Sequence, residues 1–441
     1  MSRSRLRKIF FLSLLLISSS LMIDSSDALE IRRTILPNGL TLLHVERHFL
    51  PIITATLLVK ASPLDESPEK AGLANLTAEL LTEGTEKRKA VDISEEIEFI
   101  GASLGVSVDS DYTMLSLSVL KKDVEKGVEI VSDILLNPLF PAEEIKRKKE
   151  LIKGSLRQSE EEPSFIAEKA FKKAVFGDLP YGRIASGSME TIDRITRDDI
   201  KGFHSAFYTP SNAILSVVGD INDSELKTLT EKFLSSWRPA EVKKSHPVHR
   251  TAGKKGIIFI GRDLTQANII IGHEGIRRGD SDYYAVSVMN YILGGGGFSS
   301  RLMQSVRDEM GLAYDIHSFF TPNKETGLFQ VGVQTKNESA KAVISEVLRQ
   351  IEKMRGGYVS DQELEDAKTY LTGSFPRRLE TNKKTADFLV ALEFYGLGLD
   401  YIEKYPMYIK SVTKEEVRRV AMEHLDPEKL IIVIVGKRYD N

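Results

Sequence analysis

The 441-residue sequence contains no cysteine. This absence excludes disulfide bonds, a thiol nucleophile, zinc held by cysteine and a lipid anchor attached through cysteine. The sequence also lacks a charge bias, because its formal net charge at pH 7 is only -3 and acidic and basic residues are interspersed. No basic stripe therefore predicts binding to nucleic acid or to an anionic membrane. The remaining composition, 41% hydrophobic and 28% charged, is that of a globular chain with two or more domains.

Histidine is scarce, and among the eight histidines one pair has a tempting metal-ligand spacing, His44 and His48 in HVERH. On a helix such residues lie on one face about 6 Å apart and can share a zinc ion. The preceding NGLTLL alternates like a strand, on which the same spacing is roughly 13 Å, and no single ion bridges that distance. The pair also fits neither HExxH nor HxxEH. We therefore predict surface histidines at a strand end.

The N-terminus has the pattern of an export signal. Residues 1–28 combine the basic start MSRSRLRK, the apolar run IFFLSLLLISSSLMI and small residues at Ser26 and Ala28, before a possible cut at Leu29. This order is typical of a bacterial secretory signal peptide. The run is shorter than the roughly 20 residues that span a bilayer, which favours cleavage over an uncleaved anchor. We expect an exported protein, periplasmic or extracellular, with no stable membrane span after signal removal.

Two segments of the remaining chain repeat at nearly the same offset. TRDDIKGFHSAFYTPSNAILSVVGD from Thr196 resembles TKEEVRRVAMEHLDPEKLIIVIVGK from Thr413, 217 residues later. LFPAEEIKRKKELIKGSL from Leu139 resembles YVSDQELEDAKTYLTGSF from Tyr358 at an offset of 219. Two matches in the same order indicate a duplicated domain. The predicted organisation is a signal peptide at 1–28, a first domain at 29–238, a linker at 239–255 and a second domain at 256–441.

Strand and helix patterns predict the fold class. In the first half GLTLLHVE, ITATLLVKAS, ASLGVSVDSD and YTMLSLSVL alternate apolar and polar residues like strands. VEKGVEIVSDILLN and AEEIKRKKELIKGSLRQ place apolar residues at helical spacing. Strands followed by runs of helices predict an α+β fold of two duplicated domains, each a mostly antiparallel sheet covered by helices on one face.

Several motifs resemble those of one peptidase family. They are PNGL from Pro37, GLANLTAELLTEGT from Gly72, and above all GGGGFSSRLMQSVRDEMGLAY at residues 294–314. Together with the duplicated halves, they resemble the pitrilysin/insulinase family of inverted-motif zinc peptidases, in particular its short subunits similar to mitochondrial processing peptidase. The resemblance extends over essentially the whole chain after residue 28. It implies that the chain forms half of a clamshell.

The resemblance also implies a metal site whose ligands this chain lacks. Active members carry HxxEH on a helix before a Gly-Thr pair; its histidines bind zinc, its glutamate is the general base, and a later glutamate completes the site. Aligned on the Gly-Thr pair at 84–85, the HxxEH positions hold Asn75, Ala78 and Glu79. Aligned on the segment EEEP that ends at Pro163, the later glutamate falls on Ser155, or on Gly154 if the register shifts by one. We therefore expect no cofactor in this chain.

Two other features of the first half bear on the lost chemistry. Glu79 and Glu83 lie four residues apart and could hold a hard cation weakly, although exposed acidic pairs on helices are more often solvated surface. In the strand that lines the substrate in active relatives, Gly105 and Val106 stand where the family has Asn and Ala. The metal helix thus keeps its place in the fold without its chemistry.

The second half keeps a motif of its own. Arg307 and Tyr314 match the arginine and tyrosine that the family's C-terminal half turns toward the catalytic site of the opposing half. Such donors can hold substrate carbonyls and stabilise a developing oxyanion. The structural alternative is that Arg307 complements a helix C-terminus before Gly311 and that Tyr314 starts a strand. A flexible loop that admits a peptide, or a plain tight connection, is predicted at Gly294, Gly295, Gly296 and Gly297.

These observations favour one function and leave two alternatives. The favoured function is a non-catalytic subunit of a heterodimeric zinc metallopeptidase. A homologous HxxEH-bearing partner would bind the zinc, while this chain closes the chamber and donates Arg307 and Tyr314 in trans for hydrolysis of a peptide substrate. The first alternative is a scaffold or peptide-binding protein with no role in proteolysis. The second, an independently active metalloendopeptidase, requires ligands that the sequence does not contain.

Overall fold

The computed structural model describes residues 29–242 and 255–438. The predicted signal peptide and most of the predicted linker lie outside these residues. Within them the chain forms two sheets of six and five strands, with helices packed around both. No helix of the described ranges has the length and apolar character needed to cross a membrane.

The first half contains the six-stranded sheet. Its strands lie in the order β1-β2-β6-β3-β5-β4, in which β2 and β6 pair in parallel and the other neighbours are antiparallel. The strands are β1 (Arg32–Ile35), β2 (Thr41–Glu46), β3 (Ile52–Val59), β4 (Ser103–Val108), β5 (Thr113–Leu120) and β6 (Ala213–Gly219). The helices are α1 (Leu73–Glu79), α2 (Ala90–Phe99), α3 (Val124–Leu136), α4 (Ala142–Ser159), α5 (Pro163–Phe176), α6 (Met189–Arg194), α7 (Arg197–Phe207) and α8 (Asp223–Leu234).

The second half contains the five-stranded sheet, in the order β7-β11-β8-β10-β9. Its strands are β7 (Gly256–Gly261), β8 (Gln266–Gly275), β9 (Ala313–Pro322), β10 (Gly327–Lys336) and β11 (Ile431–Gly436). Its helices are α9 (Tyr283–Asn290), α10 (Ala340–Gly356), α11 (Asp361–Ser374), α12 (Asn382–Phe394), α13 (Tyr401–Ser411) and α14 (Lys414–His424). Two π-helical turns, Tyr291–Gly295 and Met303–Glu309, lie between α9 and β9.

The predicted duplication is confirmed by the strand order. Without its edge strand β1, the first sheet has the order β2-β6-β3-β5-β4, which matches β7-β11-β8-β10-β9 strand for strand, and the parallel pair β7 and β11 falls where β2 and β6 do. The helices before β6 and β11 begin alike, because Thr196 and Thr413 both accept a hydrogen bond from the backbone N–H three residues on, at 3.2 Å. The strands predicted in the first half are confirmed as β2 to β5, and the helices as α3 and α4.

Each sheet has one face that packs against a helix from the other half of the chain. Helix α12 packs Leu389 and Val390 against Leu43, Leu58 and Ile214 of the first sheet, all of them buried. It also accepts a hydrogen bond at Asp387 from the buried Thr56 hydroxyl, at 2.8 Å. The halves are thus held together by apolar burial, which is the main favourable term in folding.

The reverse packing uses α5. Phe171 and Val175 of this helix are buried against Ile270, Ile431 and Val433 of the second sheet. Helices α5 and α12 begin at residues 163 and 382, 219 apart, which is the offset of the predicted repeat. The exchange of helices is therefore itself part of the duplication.

The two halves also meet at a buried aspartate. Asp111, between β4 and β5, accepts a hydrogen bond from Tyr181 and, across the junction, bonds from the Lys324 backbone N–H at 2.8 Å and the Tyr395 hydroxyl at 3.1 Å. Burial raises the pKa of this carboxyl, and the donors oppose that rise. The turn that holds Asp111 and the turn that holds Lys324 are counterparts, since each joins an edge strand to its neighbour.

Candidate functional site

Helix α1 occupies the position at which the resemblance implies zinc ligands. Asn75 is half-buried, and its side-chain amide donates to Glu79 at 2.9 Å. Ala78 is buried and offers no proton acceptor. An amide bonded to a carboxylate, beside a methyl group, supplies neither the nitrogen ligands nor the general base of a zinc peptidase.

Two cations from α4 neutralise the acidic residues of this region. The Lys148 ammonium lies 3.0 Å from the Glu83 carboxylate and 3.8 Å from that of Glu79, and Arg147 also donates to Glu83. Glu83 is buried, so the expectation that the Glu79 and Glu83 pair is solvated surface is wrong for Glu83. Burial alone would raise the pKa of Glu83, but the bonds from Lys148 and Arg147 hold it below its ordinary value. A divalent cation would have to displace an ammonium already in place.

The remaining residues of the predicted site in the first half have side chains that cannot replace the missing zinc ligands. Ser155 and Gly154 are exposed near the end of α4. Gly105 and Val106 lie in β4, the edge strand of the first sheet, where Gly105 pairs with Ser116 and Val106 with Leu115 of β5. None of the four provides a carboxylate or an imidazole. The residues of the first half therefore do not fit a zinc ion.

The two histidines of HVERH differ in burial. His44 lies within β2 and is 3% exposed, so the prediction of a surface histidine is wrong for this residue. Its ring nitrogens face Asp223 at 2.6 Å and the Ile221 carbonyl at 3.0 Å. His48, just beyond the strand, is exposed and contacts Asp220 at 2.6 Å. The sequence alone does not show that α8 and the residues just before it pack over β2.

In the second half, the glycine run forms a tight connection packed on β9. Tyr291–Gly295 is a π-helical turn, closed by a bond from the Gly296 N–H to the Tyr291 carbonyl at 2.8 Å. A Cβ on Gly294 would lie 2.6 Å from the backbone nitrogen and hydroxyl of Ser318, so only glycine fits there. Gly297 has φ +58° and no neighbour within 4 Å of a would-be Cβ. The run thus begins buried and ends exposed.

Arg307 contacts two exposed aromatic rings. Its guanidinium carbon is 4.6 Å from the centroid of the Phe298 ring and 4.9 Å from that of Tyr314. Phe298 is 68% and Tyr314 84% exposed. Cation–π contacts with both rings restrict the guanidinium, whose side chain is 27% exposed. We name Phe298, Arg307 and Tyr314 the arginine sandwich.

The backbone around Arg307 also has the features of the structural alternative. Met303–Glu309 is a π-helical turn, and the Gly311 N–H closes it on the Arg307 carbonyl at 3.0 Å with φ +63° at Gly311. Tyr314 is the second residue of β9. Widened turns of this kind occur often at functional sites. Arg307 therefore lies near the end of a helical turn and Tyr314 near the start of a strand, as the structural alternative predicts, while the functional interpretation stays a prediction.

A cavity of about 700 Å³ lies beside Tyr314. Strands β8, β9 and β10 form its floor, and α5 from the first half forms one wall. Its polar lining includes Glu168, His317, Gln330 and Gln334. The site thus combines an oriented cation, an exposed phenol and a mixed polar and apolar cleft, which suits an extended peptide better than a compact metabolite.

Comparison with known proteins agrees with this geometry. A family model described as Insulinase (Peptidase family M16) matches residues 43–188, and one described as Peptidase M16 inactive domain matches residues 194–371. The chain belongs to the peptidase M16 family. M16 relatives include an uncharacterized zinc protease of Rickettsia bellii, 27% identical over 88% of this chain and 90% of the relative. Another, of Mycobacterium bovis, is 29% identical over 94% of each chain.

Solved structures match this M16 chain over nearly its full length. The crystal structure of a peptidase M16 inactive domain from Pseudomonas fluorescens has a TM-score of 0.87 and 29% identity, and the match covers 94% of this chain and all of that one. A protease from Helicobacter pylori matches with a TM-score of 0.85 at 22% identity, over 92% of this chain and 99% of that one, and this likeness supports the fold alone.

One further cluster of this M16 chain has metal-ligand residue types. Within residues 29–242 and 255–438, Asp282, Glu423 and His424 are the one group of three whose ligand atoms lie within 4.8 Å of one another. Arg419 already donates to both oxygens of Asp282, at 2.7 and 3.0 Å, and to Glu423 at 3.2 Å. This hydrogen bonding lowers the pKa of Asp282 to about 2. The two carboxylates of this cluster are therefore already paired with Arg419.

Sequence reasoning missed two residues that shape the site of this M16 chain. Lys148 lies seven residues before Ser155, on the same face of α4, and that spacing was the available signal. Phe298 directly follows the glycine run, and an exposed phenylalanine beside four glycines was a signal of the same kind. Neither is a ligand or a base, so a search restricted to chemical motifs passes over both.

Proposed function

We propose that this M16 chain is a non-catalytic subunit of a zinc metallopeptidase. In this assignment a homologous HxxEH-bearing partner holds the zinc, and the present chain closes the chamber and donates Arg307 and Tyr314 in trans to the partner's active site. The observation that carries the proposal is the arginine sandwich, since it holds a half-buried guanidinium against two exposed rings, with no counter-ion closer than Asp308 at 4.0 Å among the described residues.

The first half supports the same assignment by exclusion. Asn75 and Ala78 cannot replace a histidine and a general base, and Lys148 places a positive charge among the acidic residues that remain. Residues that repel a metal ion leave hydrolysis to a second chain. Zinc is therefore expected in the partner subunit and not here.

The chemistry asked of Arg307 and Tyr314 is charge stabilisation. When water attacks a peptide carbonyl, negative charge develops on its oxygen, and pre-oriented donors stabilise that charge more than they stabilise the ground state. A guanidinium fork with a neighbouring phenol offers such donors, and the cavity beside Tyr314 offers a place for a substrate. Both residues would act on substrate and neither would contact the metal.

The deciding experiment reconstitutes the complex with the HxxEH-bearing partner. Arg307→Ala and Tyr314→Phe should each lower peptide hydrolysis by about a hundred- to a thousandfold, corresponding to about 2.7–4 kcal/mol per donor. Arg307→Lys should be nearly as harmful as Arg307→Ala, because lysine keeps the charge and loses the fork. Zinc content and subunit stoichiometry should not change. Arg301→Ala, a paired arginine six residues earlier, serves as a control for general damage to this segment.

The alternative is a scaffold or peptide-binding protein with no role in proteolysis, and the cleft beside Tyr314 favours it as the second candidate. Unchanged turnover for both Arg307→Ala and Tyr314→Phe, in complexes of normal composition, would leave this alternative. The chain by itself should hold no stoichiometric zinc and cleave no peptide. Elemental analysis after dialysis against trace zinc checks this, and one zinc per chain with chelator-sensitive hydrolysis would overturn the whole assignment.

A further inference from the structure

The two sheets differ at one edge. Strand β2 pairs in parallel with β6, and its counterpart β7 pairs in parallel with β11. Matching β6 with β11 at the repeat offset of 217 makes Ile257 the counterpart of Leu42, and Phe259 the counterpart of His44. The exposure of these two positions can therefore be compared between β2 and β7.

In the first half both positions are covered. Strand β1 pairs with the outer edge of β2, and α8 packs Leu226 onto the face that carries Leu42. Leu42 is 7% and His44 3% exposed. In the described part of the second half no strand pairs with the outer edge of β7 and no helix packs as α8 does, so Ile257 is 70% and Phe259 39% exposed.

Within the residues that the structure describes, strand β7 also lacks the usual protection of a sheet edge. Its sequence is GIIFIG, without a charge, a proline or a register shift against β11. Natural edge strands are commonly protected by lysine, proline, bulges or a covering element, because an apolar edge pairs with other chains. An edge with open hydrogen-bonding groups and two exposed apolar side chains is suited to strand pairing.

We propose that β7 pairs antiparallel with β7 of a second copy of this chain, joining two five-stranded sheets into one sheet of ten. A two-fold axis perpendicular to the sheet keeps each face on its own side, so only residues of the same facing can stand opposite one another. With Ile258 opposite its own copy, Ile257 of each chain stands opposite Phe259 of the other. This register covers both exposed residues and forms two aromatic–β-branched pairs, a favourable combination across strands.

The charges at the two ends of β7 fit this arrangement. Lys255 at its start forms an ion pair with Glu428 at 2.9 Å, and Asp263 just beyond its end pairs with Lys437 at 3.1 Å. Antiparallel pairing sets the start of one strand beside the end of the other. Each end then offers an anion and a cation to the opposite end of the second copy, so the contact is self-complementary in charge.

The paired edge is remote from the arginine sandwich. Strand β9, which carries Tyr314, is the opposite edge of the same sheet, four strands from β7 and so roughly 19 Å away. Pairing through β7 therefore leaves that side open to a different protein. The inference does not rest on the proposed function, and the two can fail separately.

The first test is the mass of the mature chain in solution, by light scattering and by sedimentation over a range of concentrations. We expect a dimer that the double substitution Ile257→Lys, Phe259→Lys converts to a monomer with an unchanged melting temperature. Phe99→Lys, at another exposed phenylalanine, should leave the dimer intact. A wild-type chain that is monomeric at every concentration would overturn the proposal. The outer edge of β7 would then be covered by another segment of this chain or by a different protein. A dimer indifferent to the double substitution would overturn it as well.

The second test uses the absence of cysteine in the chain. Ile258→Cys places a single thiol opposite its own copy, within the Cα separation of 4.4–6.8 Å that a disulfide requires. Mild oxidation should therefore cross-link this variant into a covalent dimer, whereas Phe99→Cys should remain uncross-linked under the same conditions. A dimer that Ile258→Cys does not cross-link would contradict pairing in this register.

Discussion

The two halves share a strand order and differ in what lies at the position of the metal helix. In the first half α1 packs against β4, and its acidic residues are neutralised by Lys148 and Arg147. At the repeat offset of 219, Asn75 corresponds to Gly294 in the π-helical turn that packs against β9. There the neighbouring cation, Arg307, contacts two aromatic rings, whereas Lys148 and Arg147 contact the buried carboxylate of Glu83.

The difference separates two uses of a positive charge. Lys148 and Arg147 offset buried carboxylates, so their value lies in the stability of this chain. Exposed cation–π contacts contribute only about 0.5–1 kcal/mol each, so Arg307 adds little to folding, while its orientation is useful to whatever binds. The cations of the first half are paired with a carboxylate of the same chain, whereas Arg307 of the second half contacts aromatic rings.

The exchange of α5 and α12 predicts that neither half is stable alone, and this gives the largest effect. Leu389→Ala should cost about 2–5 kcal/mol and Phe171→Ala about 3–5 kcal/mol, because both side chains are 0% exposed. Each should lower the stability of both halves together. Denaturant unfolding followed by the single tryptophan, Trp237 in the first half, and by circular dichroism of the whole chain should give coincident transitions.

The exposed substitution Leu151→Ala is the matched control and should change stability little. Two separated transitions in either core variant, with one half unfolding at its wild-type midpoint, would contradict the interdependence of the halves.

The neutralised metal position gives the next effect. Lys148→Met should destabilise the chain by about 2–3 kcal/mol, because it leaves the buried Glu83 with Arg147 as its remaining cation. The double variant Lys148→Met, Glu83→Gln should recover most of this loss by removing the charge. Urea denaturation at pH 8 measures both. A double variant no more stable than the single one would show that Lys148 acts through packing and not through charge.

Glu66 makes the first half sensitive to pH. Its carboxylate is buried at the start of α1 and accepts the backbone N–H groups of Gly72 and Ala74, each at 3.0 Å. Burial raises its pKa from 4.5 to about 7, in spite of these bonds. Between these values the folded state keeps a proton that the unfolded state has released, so the contribution of Glu66 to stability falls as pH rises from about 4.5 to 7.

Glu66→Gln should remove this slope and raise the free energy of unfolding at pH 8 by ~1–2 kcal/mol, allowing for the weaker bonds of a neutral amide. Stability measured by denaturant at several pH values provides the check. The exposed Glu69→Gln is the control and should keep the wild-type profile. An unaltered slope in Glu66→Gln would assign the pH dependence to other groups.

The smallest effect concerns the second half. Phe298→Leu removes one of the two rings beside the Arg307 guanidinium, a contact worth about 0.5–1 kcal/mol at an exposed site. Turnover of the proposed complex should fall only about two- to fivefold, far less than for Arg307→Ala. Peptide hydrolysis in the reconstituted complex measures it. A loss as large as that of Arg307→Ala would mean that Phe298 contacts substrate itself.

Much of this fold follows from short-range patterns. Alternation predicted β2 to β5, helical spacing predicted α3 and α4, and the repeat predicted the second sheet, since these signals are contained in 6 to 25 consecutive residues. The exchange of α5 and α12 was not predictable in this way. Apolar periodicity shows which side of a helix is buried and carries no information on which sheet buries it.

The site shows the same division. The family resemblance of residues 294–314 implied Arg307 and Tyr314, whose side chains the structure places in contact, and their catalytic role stays a prediction. The buried state of His44 depends on Asp223, 179 residues away, and that of Glu83 on Lys148, 65 residues away. Such pairings are created by the tertiary fold, so a single sequence gives no local sign of them.

The helix exchange also sets an order of events on the ribosome. The first sheet is complete when Gly219 has emerged, but the helix that covers its second face ends at Phe394, 175 residues later. At ordinary synthesis rates this interval lasts ~9–35 s. Throughout it Leu43, Leu58 and Ile214 lack the cover of α12, so the nascent first half is a natural client for a chaperone until that helix has been made.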